Sequence, residues 1–207
     1  MVDNPHSMQY ADRCIASGAK FETHIEKFIA FTPDHCPVER AEKLGIPIDP
    51  FRERYSRFEN CLSAFLSHYT IWKLCVELDE EVQIFEHDAV ITNPLPEFLV
   101  YKGCISLGAP SYGKFRTPST LGVNVLTSKP YFPGAHAYRL RPDRALTLCH
   151  TATIDPRPTD VYLDVRRFDF LEEFYPWPVE ARDNFTTIQN ENGILAKHRN
   201  GPGYQIL

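Results

Sequence analysis

Glu86 and Asp88 stand two residues apart at the end of a short run, Val82-Gln83-Ile84-Phe85, that carries no charge. In an extended strand residues i and i+2 share a face, so this spacing predicts two carboxylates projecting together with His87 pointing away. Two carboxylates at a strand's end suit Mg²⁺ or Mn²⁺, which commonly take one or two protein oxygens and fill the rest with water and a nucleotide's diphosphate. The flanking charge favours a cation as well, since the stretch from Val76 to Tyr101 holds seven acidic residues and no Lys or Arg. An isolated E-x-D tripeptide is also what a polar turn after a strand looks like.

The elements that must position these groups alternate between helix and strand. Apolar residues at 62, 65, 66, 69, 72 and 76 predict a long central helix over Glu59–Glu77. Ser7 as N-cap, with Met8, Ala11, Cys14 and Ile15 before Gly18, predicts a first helix over Ser7–Ser17. Phe21–Phe31 reads as a short strand, followed by a stretch made irregular by Pro37, Pro47 and Pro50. Strands follow the E-x-D run at Cys104–Leu107, Gly122–Thr127 and Ala135–Leu140, and a helix with Pro at its first position runs over Pro142–Cys149. After Asp164 the chain reads as irregular and aromatic, with Phe168, Phe170, Phe174, Tyr175 and Trp177 as packing groups, of which Trp177 or Tyr175 could also form a stacking edge. Gly193–Gly203 reads as a Gly and Pro-rich tail, and no internal repeat is visible.

Composition limits the function classes. With 207 residues, 43% hydrophobic and 24% charged, the chain can bury a core as a single globular domain. A net charge of -5 argues against binding nucleic acid mainly through phosphate neutralisation. No apolar stretch approaches the roughly 20 residues of a membrane span, and the N-terminus lacks a secretory pattern, so the expected location is cytoplasmic. Six cysteines without a C-x-x-C pair fit reduced, buried thiols.

Three segments together resemble glycosyltransferase family 25, which includes bacterial lipooligosaccharide galactosyltransferases and collagen galactosyltransferases. Cys61-Leu62-Ser63-Ala64-Phe65-Leu66-Ser67-His68-Tyr69-Thr70-Ile71-Trp72 is similar to the family's G-C-x-x-S-H-x-x-x-W helix. Val82 to Val90 is similar to its strand ending in E-D-D, with His87 in place of the middle acid. Pro133-Gly134-Ala135-His136-Ala137-Tyr138, then Ala145 and Leu146, then Pro158-Thr159-Asp160-Val161-Tyr162, resemble its G-T-x-x-Y segment, helix and later P-x-D. The likeness runs roughly from Ser7 to Ile188, although little apolar sequence precedes Asn4 to form the family's usual first strand.

The resemblance implies a GT-A-like α/β domain over 1–190 with a central mixed, mostly parallel sheet flanked by helices, and 191–207 as a tail. It implies transfer of a hexose, galactose or glucose, from a UDP-sugar to a saccharide hydroxyl, with inversion and with Mn²⁺ or Mg²⁺, as in lipopolysaccharide biosynthesis. Carried onto this chain, Asp88 becomes a metal ligand, while Glu86 meets the metal through water or holds the donor's ribose or sugar. Asp160, at the P-x-D position that Asp155 and Asp164 do not match, becomes the base that inversion requires. His68 either contacts the donor, steadies the acidic strand end or packs at the core's edge; His136, beside Gly134, is expected against donor sugar or acceptor. Lys197-His198-Arg199 could close over a diphosphate or remain a solvated tail. The same chemistry on a hydroxylated nucleobase or protein side chain, or a non-catalytic binding module, are the alternative readings.

Overall fold

The computed structural model describes residues 1–196 and 203–207, so the tail residues Lys197-His198-Arg199 lie outside the described residues. It is a mixed α/β domain. Helix α1 (Pro5–Ala19) is followed by α2 (Pro37–Lys43) and the long α3 (Phe58–Leu78), then strands β1 (Val82–Phe85), β2 (Ala89–Ile91), β3 (Cys104–Ser106), β4 (Gly122–Val125) and β5 (Ala137–Leu140). Helices α4 (Pro142–Ala152) and α5 (Thr159–Tyr162) precede β6 (Leu171–Tyr175), β7 (Val179–Ala181) and β8 (Phe185–Thr186); α6 (Glu191–Ala196) and β9 (Gln205–Ile206) close the chain.

Helix α3 forms where the apolar spacing predicts it, without Gly or Pro between Phe58 and Leu78. It stops at Asp79, whose backbone turns left-handed at φ 53° and whose N–H closes on the Val76 carbonyl at 3.2 Å. Asp tolerates that conformation better than most residues. Trp72 is fully buried, edge-on to Phe65 and stacked on Tyr162, with ring centroids 5.7 and 5.5 Å away.

The main sheet runs β1-β5-β3-β6-β4. Only β3 and β6 are parallel; β1–β5, β3–β5 and β4–β6 are antiparallel. The expected "mostly parallel" sheet is thereby corrected to a mixed sheet with three antiparallel pairings of four. The reason lies in β5 and β6. Strand β5 returns between β1 and β3, opposed to both, and β6 forms inside the aromatic stretch that reads as irregular. There Leu171, Glu172 and Glu173 are buried, so period-2 alternation of apolar and polar residues is lost and the strand leaves no pattern.

Each face of the sheet carries its own core. Tyr138 and Leu140 of β5 join Cys104, Leu171 and the inner face of α3, together with Ala145 and Leu148 of α4. Ala137, the neighbour of Tyr138 on the opposite face, joins Leu107, Val179, Ala89, Ile91 and Cys14 of α1.

Three local expectations are corrected. The N-cap of α1 is Asn4, whose Oδ1 accepts from the Ser7 N–H at 2.8 Å, while Ser7 itself is buried in the first turn. Phe21–Phe31 forms no strand, and its backbone bonds instead to Gly18 and Met1. Part of the proline-rich stretch is helical, because Pro37 occupies the first position of α2, where its missing N–H costs nothing. In the C-terminal segment Gln205–Ile206 pairs in parallel with Phe185–Thr186. Among the described residues no helix is long and apolar enough to cross a membrane.

Candidate active site

Strand β1 ends at Phe85, and the next four residues form a tight turn in which the Ala89 N–H donates to the Glu86 carbonyl at 3.1 Å. The two-residue alternation of a strand therefore does not extend through Glu86, His87 and Asp88. Backbone bonds pin the turn on both sides: Glu86 N–H donates to the His136 carbonyl, and Arg182 N–H donates to the Asp88 carbonyl, each at 2.9 Å. The two carboxylates keep different company. Glu86 acts electrostatically on His68, His87 and His136, whereas Asp88 acts on Cys14 and Tyr204.

Glu86 is bound into a buried hydrogen-bond chain. His68 Nε2 lies 3.1 Å from Glu86 Oε1, and His68 Nδ1 lies 2.8 Å from the Tyr138 hydroxyl. The Trp72 indole N–H donates to that same hydroxyl at 2.8 Å. His68 and Trp72 are four residues apart on α3 and so share a helix face. Tyr138 pairs with Ile84 across β5 and β1, which turns its ring toward that face. Burial opposes ionisation of Glu86, but the hydrogen bond from His68 and the influence of His68, His87 and His136 prevail and hold its pKa below the usual value.

The side chain of Glu86 is 29% exposed and lines a cavity of about 570 Å³, together with His68, Ser67, Ile71, Phe85 and Asn60. Asp88, His136 and Asp160 are not among the lining residues. His87 packs against Phe185 and Tyr10, with centroids 5.5 and 6.5 Å away, and burial pushes its pKa down despite the Glu86 charge.

Asp160 sits in the one-turn helix α5 behind Pro158. Its Oδ1 accepts from the Val161 N–H at 2.8 Å, and its Oδ2 accepts the Tyr112 hydroxyl. Burial raises its pKa; these two bonds pull the other way, and the negative charge of Glu86 adds to the rise. Glu86 thus acts on Asp160 although the two stand 74 positions apart in the chain. Tyr112 belongs to the loop between β3 and β4, where Lys129 lies 4.5 Å from its ring and donates to its carbonyl at 2.8 Å. No motif marks Tyr112 in the sequence; only the fold brings that loop onto α5.

His136 is 2% exposed, and neither ring nitrogen makes a hydrogen bond of ordinary geometry. Burial lowers its pKa against the opposing influence of Glu86 and the Val179 backbone. Its ring lies directly over Gly108, where an added Cβ would come within 2.4 Å of Nε2. Among the described residues no group of three or more His, Cys, Asp or Glu side chains is placed to hold a metal ion.

The geometry thus gathers Trp72, His68, Glu86 and Tyr138 from the three separate segments that carry the family resemblance. The sequence model of glycosyltransferase family 25 (LPS biosynthesis protein) matches residues 59–105. The family 25 match covers α3 from its second residue, the Glu86-His87-Asp88 turn and the first two residues of β3, and it bears out the resemblance over that stretch. It ends before Tyr112, His136, Tyr138 and Asp160. No curated protein matches the chain.

Proposed function

We propose that this protein is a glycosyltransferase that moves a hexose from a UDP-sugar to a hydroxyl of a saccharide acceptor, with inversion. The observation that carries this reading is the hydrogen-bonded convergence of His68, Glu86 and Tyr138, the first two at the wall of a cavity, together with the influence of Glu86 on the Asp160 carboxyl. Two of these residues lie inside the family 25 match.

In this reading Asp160 accepts the proton of the acceptor hydroxyl as that oxygen attacks the anomeric carbon. The new C–O bond forms while the bond to the diphosphate breaks, and UDP departs with the electron pair. A carboxylate with a raised pKa is the stronger base for that proton transfer. Tyr112, which occupies Oδ2, must yield that oxygen or leave Oδ1 to serve.

A divalent cation completed by water and phosphate oxygens needs only one or two carboxylates from the protein, which Asp88, alone or with Glu86, could supply. Asp88 would hold such an ion, and Glu86 would meet it through water or bind the donor's ribose or sugar. The cation, Mn²⁺ or Mg²⁺, supplies charge neutralisation for the leaving diphosphate.

Thermal melting with UDP, GDP, CMP and several UDP-hexoses, each with Mn²⁺ or with EDTA, tests the reading in the natural chain and in Asp88→Ala. A ligand that binds only the folded state raises the melting temperature by mass action. The expected result is stabilisation by UDP species that needs the metal and is lost in Asp88→Ala. Stabilisation by no nucleotide at all would overturn the proposal.

A further inference from the structure

We propose that Tyr138 and Trp72 act through His68 as positioning residues for Glu86, by fixing the imidazole as the tautomer that donates from Nε2. The role given to Glu86 rests on the transferase reading above; the tautomer does not.

An indole N–H only donates, so at 2.8 Å from Trp72 Nε1 the Tyr138 oxygen is an acceptor. Tyr138 is fully buried, and its single proton needs an acceptor of its own. His68 Nδ1, 2.8 Å away, is the partner available to it. With Nδ1 accepting, the proton of a neutral imidazole sits on Nε2, which faces Glu86 Oε1 at 3.1 Å.

The other proton arrangements each leave a defect. A neutral ring protonated at Nδ1 would point the Nε2 lone pair at a carboxylate and leave the Tyr138 proton without an acceptor. A doubly protonated ring would serve Glu86 but leave the same buried hydroxyl proton without an acceptor. Only the Nε2–H form satisfies all four groups. Packing holds the ring in place: His68 stacks on Tyr138 at 5.9 Å with 19° between planes and lies 6.4 Å from Trp72.

The spacing of His68 and Trp72 thereby acquires a physical meaning. Four residues apart on α3, they present one acceptor and one donor to a single hydroxyl on β5. The output of the relay is a carboxylate at the cavity wall with Oε1 held by His68.

Two measurements on the full chain test this. Long-range ¹H–¹⁵N spectra of histidine-labelled protein, with His68→Gln for assignment, should show His68 protonated at Nε2 and bare at Nδ1. In Tyr138→Phe the signal should move toward the other tautomer or a mixture. A wild-type His68 protonated at Nδ1, or on both nitrogens near neutral pH, would overturn the relay even if Tyr138→Phe fails to fold. The second measurement is the donor KM in hydrolysis of the best-stabilising UDP-hexose. His68→Ala should raise it about 10- to 100-fold, the usual cost of losing a partner that orients a ligand group. His68→Gln, whose amide nitrogen reaches the Nε2 position, should recover most of that loss. If His68→Gln is as impaired as His68→Ala while melting like the wild type, the positioning role falls. If the wild type binds no nucleotide, the transferase reading falls, and the spectrum alone judges the relay.

Discussion

His68 Nε2 stands 3.1 Å from Glu86 Oε1, and that contact ties the middle of the longest helix to the turn that ends β1. Replacing Glu86 with Gln keeps the size of the side chain but removes the charge. We expect donor affinity to fall about 10- to 100-fold in Glu86→Gln with little change in fold, read by nucleotide titration against the melting temperature.

Asp160→Asn should separate activity from stability. Removing a general base costs about 10²- to 10⁴-fold in turnover. Because burial raises the pKa of Asp160 in the folded state, its stabilising form is the protonated one. That contribution is complete below the unfolded carboxylate pKa and is lost as pH rises through the folded pKa. Asp160→Asn should therefore melt above the wild type at neutral pH, with the difference vanishing in acid; a lower melting temperature at neutral pH would contradict this.

The acid limb of the rate profile follows from the same carboxyl. In the proposed role Asp160 must be ionised to take a proton, so turnover at saturating donor and metal should fall at a pH above that of an ordinary Asp carboxyl. Glu86 runs the other way: its lowered folded pKa gives stability that is present above the unfolded value and lost as pH falls through the folded one. Rate and melting temperature measured across pH should thus decline in different windows, rate first on acidification.

Trp72→Ala tests the core beneath the site. The ring is fully buried between Phe65 and Tyr162, and its removal should cost about 3–5 kcal/mol in chemical denaturation. Trp72→Phe keeps most of the volume and should cost far less, while freeing the Tyr138 hydroxyl from its indole donor.

Gly108→Ala probes the seat of His136. The added methyl would meet Nε2 at 2.4 Å and Cε1 at 2.7 Å, so the buried ring must shift. We expect a loss of about 1–3 kcal/mol, the common cost of overpacking, read from denaturant midpoints.

What the sequence determined by itself is whatever depends on local periodicity and on groups close together in the chain. The apolar spacing of α3 was legible because a helix face repeats every three to four residues, and β1 was legible because its uncharged run breaks off in Glu86-His87-Asp88. His68 and Trp72 were legible as neighbours for the same reason. Tertiary structure decided the rest. Strand β6 leaves no alternation because Leu171, Glu172 and Glu173 are all buried, and the direction of each strand depends on pairings that residue patterns do not encode. The turn at Glu86 overrode the strand geometry that its i, i+2 spacing suggested, since the Glu86 carbonyl found the Ala89 N–H rather than a neighbouring strand. Tyr112 reached Asp160, and Tyr138 reached both His68 and Trp72, only because long-range packing laid a loop and a strand against helices far away in the chain. A hydrogen bond needs its partners within about 3 Å, a proximity that chain separation alone does not disclose.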